Sequence, residues 1–174
     1  MRDFWFSETD FVVPVELSIS RRNRFLGHLT TGQPWDEQEK QTVQQVRWKQ
    51  SANVHEISYR ETPENPNRRG GSGSAASPLA ASDEPPNLTI CRLEPTTLTW
   101  QRHGGVEWEH IFETGDVRSS LMTVPGIGSI EVKLRTRSLR IEVGPTGGLI
   151  DVAYDMTMSD VTQYIELSMR FTRT

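Results

Sequence analysis

The chain has 174 residues, about one domain's worth, and is long enough to enclose a core without metal or disulfide staples. Nineteen Lys and Arg against 23 Asp and Glu give a net charge of −4, so no general attraction for phosphate backbones or anionic lipid is expected, and nucleic acid and membrane are set aside as partners. A single cysteine, Cys91, excludes an intramolecular disulfide and a cysteine-rich zinc site.

The first ten residues, MRDFWFSETD, carry no basic stretch followed by an apolar run, and no later stretch approaches the roughly 18 apolar residues of a membrane helix. A cytoplasmic location is expected. From Val12 to Ser20 the alternation places Val13, Val15, Leu17 and Ile19 on one face of a strand, and Pro14, which lacks an N–H, puts this strand at a sheet edge or beside a bulge. The segment PWDEQEKQTVQQ (34–45) is rich in helix formers with little apolar stripe, and reads as a short surface helix or a polar excursion. VQQVRWKQ, with Val46 and Trp48 alternating, and VHEISYRE then form a hairpin across Ser51-Ala52-Asn53.

Residues 62–87 are dominated by Pro, Gly, Ser, Ala and Asn, a composition unable to offset the entropy of ordering, and are expected to be a disordered insertion within a single domain. Beyond it, strand-like runs recur at intervals of about 8–12 residues, separated by Gly, Pro, Asp or Asn. Ile150, Val152, Tyr154 and Met156 share one face, as do Ile165, Leu167, Met169 and Phe171. With no amphipathic helix to cover a sheet, the strands must shield one another. The short connections favour an all-β, antiparallel meander barrel of about eight principal strands with additional short ones, whose interior is either filled or holds one small ligand.

Several short motifs occur in order: TTG at Thr30–Gly32, ISYRE at Ile57–Glu61, the Arg102-His103-Gly104 turn, IFETG at Ile111–Gly115 and IDVAYDM at Ile150–Met156. Together they resemble the YwiB-like bacterial family, small proteins of unknown function, over roughly 12–32, 43–62 and 87–172. The resemblance implies a calycin-like, lipocalin-type β-barrel and no activity. The segments after Gly32 and over 62–87 stand out from the family pattern as insertions.

Glu61 continues the inward face of Ile57 and Tyr59, and Arg102 that of Leu98 and Trp100. Charges so placed need partners: they pair with each other or reach water at the strand ends, or they ring a barrel mouth where Arg102 holds an anionic group. His110 shares a face with Val106, Trp108 and Phe112, either as a satisfied core histidine or as a ligand contact. His28, His55 and His103 lie on separate segments without metal-ligand spacing, so no metal is expected. Cys91 reads as a small buried hydrophobe. No GxSxG elbow, P-loop or dinucleotide fingerprint is present, so no catalytic residue and no cofactor are assigned.

The leading expectation is therefore a binding module holding a small, partly apolar or anionic molecule among Glu61, Arg102, His110 and Tyr154. The alternative is a non-enzymatic interaction or structural protein with a filled barrel and an open edge, monomeric or homodimeric.

Overall fold

A computed structural model of the chain describes residues 10–25, 36–52, 54–61 and 87–174. The elements run β1 (Phe11–Phe25), β2 (Asp36–Ser51), β3 (Val54–Glu61), β4 (Asn87–Leu93), β5 (Leu98–His103), β6 (Glu107–Phe112), β7 (Val117–Val124), β8 (Gly128–Gly144), β9 (Gly147–Met158) and β10 (Val161–Arg173). Each pairs antiparallel with its neighbour in sequence, and β1 pairs with β10, closing the sheet into a barrel. This is the meander expected from the turn spacing, with ten strands rather than eight principal ones. No helix among the described residues is long and apolar enough to cross a membrane.

The strands form where period-2 alternation feeds the interior. Val15, Leu17, Trp48, Ile57, Leu98, Phe112, Ile150, Val152, Ile165, Leu167 and Phe171 are all buried. The hairpin turns use glycine where the backbone demands it. Gly147 has φ +152, and a Cβ there would run into the Phe171 carbonyl of the adjacent strand, so β9 and β10 approach closely only because no side chain intervenes.

The helix or polar excursion expected over 34–45 is corrected: from Asp36 onward these residues belong to β2. Tertiary pairing overrides local helix propensity here. β2 is registered against β1 from Arg24↔Asp36 to Phe11↔Gln50, and the Arg22 guanidinium donates two hydrogen bonds to the Asp36 carboxylate at 3.0 and 2.7 Å.

Pro14 lies beside a bulge and not at an edge. Between Val15↔Val46 and Leu17↔Val43, Glu16 alone faces Gln44 and Gln45, and Gln45 takes the left-handed conformation at φ 61. A second bulge makes Arg137 the extra residue between Thr136 and Ser138, and its guanidinium grips Asp155 through contacts of 2.9–3.0 Å. Asn87, where the expected insertion meets the strand-like run NLTICRLE, opens β4, and its side-chain oxygen accepts a hydrogen bond from the Gly105 N–H at 2.8 Å. The remainder of the expected insertion, 62–86, lies outside the described residues, as does His28.

One end of the barrel is filled by aromatic rings. Trp48 meets Phe11 and Phe171 edge-on, each at 5.0 Å between centroids, and its indole N–H donates to His55 Nδ1 at 3.1 Å. Along the same strands toward the other end the inward positions turn polar, at Arg21, Glu39, Gln41, Glu61 and Arg102.

Candidate functional site

At that polar end a cavity of about 120 Å³ opens between β1, β2, β3, β5, β6 and β10. Glu61 is delivered by the last residue of β3 and Arg102 by β5, each continuing the inward alternation of its strand. Arg102 Nη2 lies 3.0 Å from Glu61 Oε2, and the two side chains are only 23% and 28% exposed. Thr89, opposite Arg102 on β4, donates from Oγ1 to Glu61 Oε1 at 3.5 Å. The guanidinium also lies over the Trp108 ring, with Cζ 5.0 Å from its centroid, a cation–π contact that fixes its plane.

Three polar hydrogens in this corner have no acceptor among the described residues: Trp100 Nε1–H, Trp108 Nε1–H and Arg102 Nε–H. All three belong to side chains lining the cavity. Indole and guanidinium nitrogens only donate, so only an acceptor can satisfy these three atoms. Ile19, Leu167 and Met169 form an apolar wall, and Tyr59 lines the β3 side with its phenol pushed well above its ordinary range by burial.

The remaining expected site residues are not in the cavity wall. His110 is stacked behind Trp108, centroids 5.4 Å apart and planes within 10°, and is buried. Burial lowers its pKa to about 4, so the ring is neutral at pH 7. Ser120 Oγ donates to the Glu109 carbonyl at 2.7 Å; it therefore accepts at 2.8 Å from His110 Nδ1–H, and Nε2 carries the lone pair. Tyr154 lies deeper, its ring 4.7 Å from that of Phe112, and desolvation raises its phenol to about 12. The expected foursome thus separates into a lining pair, Glu61 and Arg102, and a supporting pair, reached through Trp108 and Phe112.

Arg21, Glu39 and Gln41 also line the cavity and were not expected there. Arg21 was readable by extending the Val13–Ile19 alternation by one step. Glu39 and Gln41 were hidden by the bulge, which switches the inward parity from Val46 and Trp48 to Val43, Gln41 and Glu39. The three-residue spacing of Val43 and Val46 was the available signal. Among the described residues no group of three or more His, Cys, Asp and Glu is placed to hold a metal ion.

A family model described as a domain of unknown function (DUF1934) matches residues 81–169. Comparison with curated proteins gave no match. Among solved structures, the crystal structure of the ywiB protein from Bacillus subtilis superposes with a TM-score of 0.65 at 17% identity, over 94% of this chain and 93% of that one. At that identity the likeness speaks for the barrel alone. The family match runs through more than half of the chain, from ahead of β4 into β10, and so this chain belongs to the DUF1934 family, the YwiB-like family that its ordered motifs resemble.

Proposed function

We propose that the barrel is a binding module whose polar end receives one end of a small molecule through hydrogen-bond acceptors. The observation that carries this reading is that three buried donors without acceptors among the described residues, on Trp100, Trp108 and Arg102, belong to side chains that line one cavity. An unpaired buried donor costs about 1–3 kcal/mol, so a group bringing carbonyl, carboxylate or similar oxygens recovers what the empty-handed donors lose. Arg21 and Arg102 are balanced in the wall by Glu39 and Glu61, so the pocket favours acceptors without demanding a net negative charge.

The cavity is small against the roughly 300–1,000 Å³ of a pocket that encloses a drug-sized ligand. Only a compact head group would be enclosed. Its remainder would extend into the cleft of about 730 Å³ outside, which shares Glu39, Gln41, Glu61 and Arg102 with the cavity. In this reading Glu61 and the Trp108 ring orient Arg102, and His110 and Tyr154 hold the aromatic backing in place.

Native mass spectrometry of gently purified protein, compared with the denatured mass of the same sample, tests the reading. The expected result is an added small-molecule mass lost on denaturation and diminished in Trp108→Phe and Arg102→Met. A bare chain mass in every native preparation would sink it.

A further inference from the structure

The barrel wall is continuous in strand order but uneven in how far its ladders run. β2 and β3 pair only from Arg47↔Ser58 to Ser51↔Val54. Beyond that point β2 continues to Asp36 paired with β1 alone, and β3 continues to Glu61 paired with β4 alone. The bulge supplies the cause: two residues, Gln44 and Gln45, opposite Glu16 increase the local twist and turn β2 away from β3 next to the last shared pair.

The divergence leaves a slot through the wall. Two clefts of about 590 and 730 Å³ run along it and share Gln44, Gln45 and Arg60. From Asp36 to Val46, about 33 Å of strand at 3.3 Å per residue, the β3-facing edge of β2 has no main-chain ladder partner among the described residues. The β6–β7 ladder is also short, with only the pairs Glu107↔Thr123 and Trp108↔Met122, but that seam is stitched by Ser120, which bonds both the Glu109 carbonyl and His110. The β2–β3 slot has no such stitch among the described residues.

We infer that this slot is a docking site for an extended, acidic peptide segment of a partner protein, which adds as a strand along the free edge of β2. Main-chain complementarity supplies the first argument, because an edge of unpaired N–H and C=O groups is matched by another extended backbone. Charge supplies the second. Arg47 and Arg60, exposed on the outer face on either side of the slot, form no ion pair among the described residues, and no carboxylate lines the cleft of about 590 Å³ that both of them border. An added strand directs alternate side chains outward, between these two cations, where carboxylates are favoured and ammonium groups repelled. The inference stands on the ladder and the outer face, independently of any small molecule in the cavity.

The test uses the full chain and capped decapeptides that alternate threonine with glutamate, lysine or serine, read by amide hydrogen exchange. The glutamate peptide is expected to slow exchange in Asp36–Val46 and Tyr59–Glu61 about tenfold or more, and the lysine peptide to leave it unchanged. In the Arg47→Glu/Arg60→Glu variant the preference should reverse. A glutamate peptide N-methylated at every second residue should bind wild-type protein at least about tenfold more weakly, a comparison that needs no variant to fold. Equal protection by the glutamate and lysine peptides, undiminished binding of the N-methylated peptide, or no protection by any of them would overturn the inference. So would concentration-dependent protection of the same amides without peptide, accompanied by a doubled mass in light scattering, which would give the slot to a second copy of the chain.

Discussion

Arg102 is held from two directions at once, by the Glu61 carboxylate 3.0 Å from Nη2 and by the Trp108 ring 5.0 Å beneath Cζ. The pair is mostly shielded, so removing either charge leaves the other poorly solvated. Arg102→Met should cost about 1–3 kcal/mol, since the Glu61 carboxylate then keeps only Thr89. Glu61→Gln should cost less, because the guanidinium retains the indole face and the amide oxygen still accepts. The double variant should be more stable than the sum of the two losses predicts, with a coupling energy of about 1 kcal/mol in a urea-denaturation cycle. Strict additivity would show that the contact contributes nothing.

His110 makes the barrel acid-sensitive, and the sign follows from its depressed pKa. The folded protein holds the ring neutral down to about pH 4, whereas the unfolded chain protonates it near 6.5. Between these values the unfolded state binds more protons, so stability is fully present above pH 6.5 and is lost as pH falls toward 4, by up to about 3 kcal/mol. His110→Gln, which can still reach Ser120, should flatten the dependence of the urea midpoint in that window while lowering stability at pH 7. A wild-type midpoint that does not move between pH 7 and pH 4.5 would contradict the assignment.

Strand alternation made most of the barrel legible in the sequence, because one buried face per strand is a local signal that survives without knowledge of the neighbours. Ile150, Val152, Tyr154 and Met156 point inward as read, and so do Ile165, Leu167, Met169 and Phe171. β2 was misread because its stability is not local. Gln38, Glu39, Lys40 and Gln41 have no apolar face of their own, and they are extended only because β1 lies alongside. The inward directions of Glu61 and Arg102 were legible for the same reason as the core. That their site also draws on Glu39 and Gln41 was not, since those side chains reach it through a bulge that breaks the alternation.

Cys91 should behave as an inert core atom. It is 1% exposed on β4, and burial raises its thiol to about 12, so at pH 8 only roughly one molecule in ten thousand carries the thiolate. Ellman's reagent should leave the native protein unlabelled and react fully in denaturant, with a native-state rate that follows global unfolding. Fast labelling without denaturant would show that the β3–β5 wall opens locally.

Gln45 belongs to the bulge of β2. Its φ of 61 is a left-handed conformation that costs a non-glycine residue about 1–2 kcal/mol. Gln45→Gly exchanges that cost for the extra entropy of glycine and should change stability by less than about 1 kcal/mol. Gln45→Val, with a branched Cβ that fits this region poorly, should lose about 1–3 kcal/mol. Deleting Gln45 leaves Gln44 alone opposite Glu16 and restores simple alternation with Trp48, Val46 and Val43 all inward, so it should cost no more than the valine substitution while removing the bulge. Urea denaturation of the three variants separates these effects. A deletion that unfolds the protein would mean that β2 cannot do without the extra residue, and a tolerated deletion that leaves amide exchange along Asp36–Val46 unchanged would mean that the bulge is not what holds the β2–β3 slot open.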